Sequence, residues 1–554
     1  MHFSSWLPFL SWPRLTPALA RNEMLSGVTI GLMLLPQGVA YAALAGMPLV
    51  TGIYAALLPS LVAVLWGASP RLGVGPTALT SLLIGTSLAG MAEPGSAQWV
   101  TLAAWLALMA GAVQWLLGAL RGGWLVNLVT SPVLNGFTQA AGILILLSQL
   151  PDLLGLRSTW SALLHAPSLH HFDGLAALFG LSSFALLLLL KRLAPRWPAA
   201  IMVIALCAAA SAALGFAERG GEIVGHLPAG LPSLFIPSVI SAEQVSRLLL
   251  PVLMISLVSF LEVASSAQAE HRKVGTRWNE NQDLVAQGMA KVVAGFSGTF
   301  PISGSFSRSA VTLNSGAKSG WATVFAIGMV LVSVLWLMPV LYHVPQATLA
   351  AVVVSAVLNL IQPRTLGALF RISRVEGSIA LTTFALTLAT APRLYWGVLT
   401  GVMLSLCHFL YQRLHPRILE IGEHADGSLR SRSIWNLPPL APHVLALRMD
   451  AEWDFASASA LERYIADALQ QRSDVQMLYL DAHSINRIDV TGVESFFRLR
   501  QSLQKQGISL HIGGLKLPVE AILQKAGALV AGPDLHLYRT NTQALTCLRE
   551  TGTA

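Results

Sequence analysis

Apolar residues along this chain fall into long blocks rather than alternating positions. From about Met24 to Tyr411 the blocks recur almost without a break. A helix needs about 20 apolar residues to cross a bilayer. On that criterion the pattern predicts fourteen segments: 22–45, 49–67, 76–90, 100–119, 125–148, 174–191, 198–216, 247–269, 281–297, 307–316, 320–341, 346–361, 375–390 and 394–412. The third and tenth are too short to cross. Beyond the last block the pattern changes. "HVLALRMD", "VQMLYLDA" and "SLHIGG" read as strands, and "ASALERYIADALQQ", "TGVESFFRLRQSLQKQG", "PVEAILQKAG" and "NTQALTCLRE" as helices. Alternating strands and helices predict a small α/β domain over residues 440–554.

The two short segments carry the candidate chemistry. The third follows "RLGVGPTALTSLL", where Gly73, Gly75 and Pro76 make an extended run and proline sits near the first helical turn. The tenth follows "FSGTFPISGSFSRSA", where Gly298, Pro301 and Gly304 break the chain before Ser305 to Ser309 open a helix. Seven segments separate the two, the spacing of a seven-plus-seven inverted repeat, although no residue-level repeat is visible. Short segments at matching positions in two halves point to a binding site. A helix that begins inside the membrane aims its free N–H groups and the positive end of its dipole at one spot, which suits an anion. Arg308 adds a full charge and a planar fork of donors there. The alternative is a loop arginine that snorkels to water.

Composition fixes the environment. The chain has 554 residues, 54% hydrophobic and 11% charged, against about 25% charged in an average soluble protein. Mean hydropathy is +0.62, which places most of the chain in lipid. The net charge of +8 is read as topology rather than nucleic-acid binding. With the N-terminus inside, sixteen Lys and Arg residues from Arg14 to Arg417 fall on the inner side, and four (Arg157, Arg219, Arg247, Arg393) on the outer. That bias predicts both termini in the cytoplasm. The expected domains are a cytoplasmic segment 1–21, a transport domain 22–413, a linker 414–439 and the α/β domain 440–554. The N-terminus, interrupted by prolines, does not read as a cleavable signal peptide. Cys207, Cys407 and Cys547 are too scattered for a disulfide framework or a metal site. A glycine-rich nucleotide loop is not found, so a primary pump is not expected, nor are an enzyme, a metal or a cofactor.

These residues resemble a known family. "LLPQGVAYAALAGMPLVTGIYAALLPSLVAVLWGASPRLGVGPTALTSLL" (residues 34–83) closely resembles the signature region of the sulfate permease family. "FLEVASSAQA" and "SGSFSRSAVTLNSGAKS" resemble its eighth and tenth segments, and the tail resembles its STAS domain. The resemblance implies a bacterial inner-membrane transporter with core and gate or scaffold subdomains, an elevator-like alternating-access motion and a homodimer. It implies an anion site built from the first, third, eighth and tenth segments. Gln37 and Tyr41 match the site positions of the first, Pro76, Thr77 and Ala78 the amino end of the third, and Ser307 and Arg308 the start of the tenth. Glu262 matches the acidic position of the eighth, linked to proton coupling in plant-type sulfate symporters. Ser266, one turn later, matches a position that helps hold Na⁺ in some bicarbonate carriers, so both coupling ions stay open.

Each residue also has a plainer reading. Gln37 suits a helix–helix hydrogen bond, and Tyr41, four residues on and on the same face, suits a core aromatic. Gln139 and Gln149 read as helix packing, Lys318 as topology, and the charged loop 271–283 as a solvated run. Glu262 in an apolar helix needs a partner, water or a proton. The expectation is an ion pair with Arg308 that protonation of Glu262 releases for the incoming anion. Thr491, in "INRIDVTGVES", matches the phosphorylatable position of related anti-sigma-factor antagonists, or is simply a cap or first-turn residue. A contact with a cytoplasmic protein partner is expected of the STAS domain, catalysis is not. The function expected is proton-coupled uptake of sulfate or a similar oxyanion, because Glu rather than Asp fills the acidic position and "PQGVAYA" is similar to the sulfate carriers. The alternatives are Na⁺-coupled bicarbonate uptake, dicarboxylate uptake, anion exchange, an uncoupled anion channel and a STAS-linked sensor.

Overall fold

The structure, a computed structural model, describes residues 7–156, 172–193, 199–226, 228, 230–336, 341–530 and 532–551. Arg157 and Arg196 of the charge count lie outside the described residues. The chain divides into two compact units, one ending at Ser405 and one beginning at Leu406.

In the first unit the helices are α1 (Pro17–Leu44), α2 (Leu49–Ala55), α3 (Leu58–Trp66), α4 (Ala78–Leu88), α5 (Ala97–Ala119), α6 (Ser131–Leu153), α7 (Gly174–Leu193), α8 (Ala199–Ala213) and α9 (Ala242–Val274). They continue as α10 (Glu280–Phe296), α11 (Phe306–Asn314), α12 (Trp321–Trp336), α13 (Gln346–Val357), α14 (Pro363–Ile372), α15 (Arg374–Ala389) and α16 (Tyr395–Leu414). The last of these crosses the boundary between the units. Each of the fourteen expected segments has its helix. Among the described residues six spans are long and apolar enough to cross a membrane: α1, α2 with α3, α5, α6, α7 and α9.

The departures have local causes. The second segment is split at Ala56 and Leu57, where the residue ahead of α3 leaves helical geometry (φ −93°, ψ −103°) and Pro59 sits at the next helix's start. The fifth begins at Ser131, not at 125, because the apolar stretch Gly122–Leu128 winds as a tighter 3₁₀ turn. The eighth runs from Ala242, where Ser241 and Gln244 form a reciprocal capping box, to Gly275, whose left-handed conformation (φ +74°) ends it. His271 to Val274 are therefore helix rather than loop. Helix α14 lies where a connection was expected. It has no buried residue, and Arg364 and Arg371 share it with Leu366 and Phe370, an arrangement that suits a membrane surface.

Small residues set how closely the helices approach. A Cβ on Gly111 of α5 would stand 2.7 Å from the Gly288 carbonyl oxygen of α10, and one on Gly288 would stand 2.5 Å from the Trp115 nitrogen. Backbone meets backbone there, as in other small-residue helix contacts in lipid. Helices α6, α7, α13 and α15 pack mainly among themselves, whereas α5 packs on α10 and α1 on α12.

The second unit is a six-stranded sheet with helices. Its strands are β3 (Ile418–Glu423), β4 (Leu429–Ser431), β5 (Val444–Met449), β6 (Met477–Asp481), β7 (Ser509–Gly513) and β8 (Leu535–Tyr538), in the order β4-β3-β5-β6-β7-β8. The run from β5 to β8 is parallel and β3 is antiparallel to both neighbours. The helices are α17 (Arg432–Trp435), α18 (Ala458–Gln471), α19 (Val490–Lys505), α20 (Leu517–Lys525) and α21 (Asn541–Thr551). Residues 414–439, expected to be a linker, instead hold β3, β4 and α17. Their polar, arginine-rich sequence concealed the edge strand β4, where charge is common, and its neighbour β3. Thr491 is a partly buried first-turn residue of α19. The cap is Asp489, which accepts from the Gly492 N–H at 2.8 Å.

His511 of β7 is buried, hydrogen-bonded to Ser509 Oγ and Tyr538 Oη, both at 2.9 Å, and stacked on His536. Burial, and then the charge of His536, hold its imidazole down at about 4. An unfolded histidine titrates near 6.5, so the stability this neutral ring contributes is complete above that pH. It is lost as pH falls toward 4, about 3 kcal/mol in all. Hydrogen exchange of β7 and β8, corrected for intrinsic rates, should therefore speed up between pH 6.5 and 4.5. His511→Gln should remove most of that slope, and an unchanged slope would rule out this origin.

Candidate functional site

The extended runs before α4 and α11 meet. Strand β1 (Val74–Gly75) pairs antiparallel with β2 (Ser303–Gly304), Val74 facing Gly304 and Gly75 facing Ser303. The Ser305 N–H donates to the Gly73 carbonyl at 2.8 Å, and the Gly73 N–H to Ser309 Oγ at 2.9 Å. Each broken segment thus satisfies the other's backbone, the condition for irregular chain at membrane depth. Glycine is required at the crossing: a Cβ on Gly73 would stand 2.6 Å from Arg308 Cβ. The first backbone bond of α4 is Ser81 N–H to the Thr77 carbonyl, and the first of α11 is Ser309 N–H to the Ser305 carbonyl, both 2.9 Å. The N–H groups ahead of them open each helix with donors.

Arg308, in the first turn of α11, is 1% exposed. Its Nη1 donates to Gln37 Oε1 on α1 at 3.2 Å. Its Nε and Nη2 are buried and have no acceptor among the described residues. Nη2 faces Gly75, where an added Cβ would lie 3.4 Å away. Gln37 and Tyr41 are buried one turn apart, and Tyr41 is near enough to feel both Arg308 and Glu262. Pro76, Thr77 and Ala78 are buried at the start of α4. Ser307 is exposed, its Oγ 3.2 Å from that of Ser305.

The expected pair between Glu262 and Arg308 is not formed. Glu262 Oε2 instead accepts from Thr77 Oγ1 and Thr80 Oγ1, both at 3.1 Å. Two hydroxyls at the amino end of α4, Thr77 just ahead of the helix and Thr80 in its first turn, bond one carboxylate oxygen, and Arg308 is left with a single neutral acceptor. Ser266, one turn along α9, is buried with its Oγ unpartnered. Gln139 donates to Thr365 Oγ1 at 3.2 Å, consistent with a packing role.

Sequence reasoning passed over several residues. Thr80 lies three positions beyond Thr77, on the face that meets Glu262. Asp283, read as part of a solvated loop, is 1% exposed and accepts from the Ala68 and Ser69 N–H groups, Ser69 Oγ and Trp278 Nε1. Glu23 is fully buried and accepts from the Lys318 and Ser319 N–H groups. Lys291 and Gln114 are fully buried within the ninth and fourth segments. A lone lysine inside an apolar run was the available signal for the first of these.

A profile of the sulfate permease family matches residues 21–383. The chain belongs to the sulfate permease family. A STAS domain profile matches residues 439–544. This family member is 30% identical over 537 residues to a Mycobacterium tuberculosis protein named Probable sulfate transporter, covering 96% of this chain and 95% of that one. Its fold is that of the murine Solute Carrier 26 family member A9 anion transporter in the inward-facing state: TM-score 0.87 at 22% identity, over 98% of this chain and 94% of that one. The transmembrane domain of a cyanobacterium bicarbonate transporter, BicA, matches with TM-score 0.60 at 22% identity, over 70% of this chain and 98% of that one. The protein is thus a multi-pass membrane transporter and not an enzyme.

Proposed function

We propose that this protein is a secondary active anion transporter that takes up sulfate, or an oxyanion of similar size, together with a proton. The anion is held between the amino ends of α4 and α11. One observation carries the reading: a buried guanidinium with two unpaired N–H-bearing nitrogens stands where two helix amino ends converge. Buried charge without a partner is costly, and an anion that accepts from Nε, Nη2 and the helix-end N–H groups removes that cost. Glu262 is close enough to interact with Arg308 yet bonded to α4. Protonation there removes a negative charge from beside the anion, linking proton and anion entry. The separate packing of α6, α7, α13 and α15 suits a scaffold past which a core carrying the site moves. Both termini are read as cytoplasmic, and the protein as a homodimer.

Sodium coupling is the second reading, favoured by the unpartnered Ser266 hydroxyl one turn from Glu262. Uptake of labelled sulfate, bicarbonate, succinate and chloride into proteoliposomes, under imposed proton or sodium gradients, separates the readings. Sulfate accumulation driven by an acid-outside gradient is expected. Sulfate accumulation driven only by sodium, or net sulfate flux that a proton gradient does not affect, would refute the proposal.

Gly75 provides a local test. Its φ of +151° disfavours any side chain, and a methyl would occupy the space beside Arg308 Nη2, in contact at 3.4 Å. Gly75→Ala should raise the KM for the anion by about tenfold, equivalent to about 1.4 kcal/mol, while the purified protein keeps its elution profile. An unchanged KM would place the anion elsewhere.

A further inference from the structure

A second cation lies behind the site. Lys291 of α10 has no exposed surface, and its Nζ donates to Gln114 Oε1 of α5 at 2.8 Å. Gln114 donates onward to Ser259 Oγ at 2.9 Å and to the Ser256 carbonyl at 2.7 Å, both on α9. The Ser259 carbonyl accepts from Ser303 Oγ at 3.1 Å, and Ser303 is the residue paired with Gly75 in the strand crossing. A hydrogen-bonded chain therefore runs from Lys291 across α5 and α9 to the strands that aim both half-helices. The backbone contact of Gly111 and Gly288 closes α5 onto α10 one turn from Gln114 and Lys291. Glu262 of α9 acts on the ammonium and is itself the neighbour of Arg308 of α11 and Tyr41 of α1; Asp283 shares the lysine's own helix. Asp283 lies two turns away, about 12 Å along the axis, and its carboxylate is taken up by the 68–69 turn and Trp278. Glu262 is thus the anionic group whose charge acts on Lys291.

We infer that Lys291 is a second cation of the site, held back from the anion itself, that sets its preference for a divalent tetrahedral oxyanion arriving with one proton. This rests on the proton-coupled reading above. With Glu262 ionised, Arg308 and Lys291 leave one net positive charge in the layer, which a monovalent anion neutralises. With Glu262 protonated they leave two, which a sulfate-type dianion neutralises. Uncompensated charge is expensive at membrane depth, so the neutral combination is the one that crosses. Without Lys291 the neutral loaded states shift by one charge: a monovalent anion with the proton, or none without it.

The test is uptake of labelled sulfate and labelled chloride by exchange in proteoliposomes at equal pH on both sides. Lys291→Met should lower the sulfate-to-chloride ratio at least about tenfold, and Lys291→Arg should keep it near the wild-type value. Because Lys291→Met leaves Gln114 Oε1 without a donor, the double variant Lys291→Met/Gln114→Leu removes both polar ends. It should show the same shift if the single variant does not fold. A ratio within about twofold of wild type in either folded variant overturns the inference, as does an equal loss of both anions. Wild-type protein that carries chloride but no sulfate sinks the proposed function and this inference with it. Wild-type sulfate uptake with an unchanged variant ratio sinks this inference alone.

Discussion

Arg308→Leu abolishes anion uptake, to below about one part in a hundred of the wild-type rate, and at the same time leaves the protein as heat-stable as before or more so. Both halves follow from one geometry. The guanidinium is 1% exposed and makes one side-chain hydrogen bond, to Gln37. Losing the charged partner of a buried anion costs about 3–5 kcal/mol, which sets the size of the functional loss. In the empty protein the same group is a buried charge with two unsatisfied nitrogens. Replacing such a group by an apolar side chain of similar reach is neutral or stabilising by about 1–4 kcal/mol. Arg308→Lys keeps the charge but not the planar fork, so it should retain partial uptake. Thermal unfolding of purified protein beside proteoliposome uptake checks the pair of outcomes. A variant that loses uptake only because it unfolds would assign Arg308 a structural role.

Glu262→Gln separates coupling from binding. Glutamine offers an oxygen in the same place, so Thr77 and Thr80 keep their acceptor and the amino end of α4 keeps its position. What disappears is the ability to gain and lose a charge. Accumulation driven by an acid-outside gradient should fall to the level seen without a gradient. Sulfate-for-sulfate exchange at equal pH should stay within about threefold of wild type, under 1 kcal/mol on the transport barrier. Gradient-driven accumulation that survives the substitution would remove Glu262 from the coupling step.

The half-helices were legible because their causes are local. Gly73, Gly75 and Pro76, and Gly298, Pro301 and Gly304, break the chain whatever surrounds them, and a short apolar run after each break cannot cross a bilayer. That the two breaks pair as strands was not legible. Register between residues 74 and 304 depends on how the helices pack, and a two-residue strand has no periodicity to read. The partner of Glu262 was misjudged for a related reason. Charge alone favours Arg308, whereas the structure brings the hydroxyls of Thr77 and Thr80 to the carboxylate. In the α/β unit the buried parallel strands β5 and β6 were plain from nearly continuous apolar runs, and β7 from a short Leu-x-Ile alternation ahead of two glycines. The edge strand β4 and its neighbour β3, with Arg430 and Glu420 among them, read as a polar connection.

The central claim is that an oxyanion sits between the amino ends of α4 and α11 against Arg308. The most direct measurement is a structure of the protein in selenate, a tetrahedral dianion whose selenium is located by anomalous scattering. The account predicts a selenium peak within about 4 Å of the Arg308 guanidinium nitrogens, facing the first-turn N–H groups of both half-helices, and no such peak in Arg308→Leu. A selenium peak elsewhere in the membrane unit, or one that persists at this place in Arg308→Leu, would contradict it.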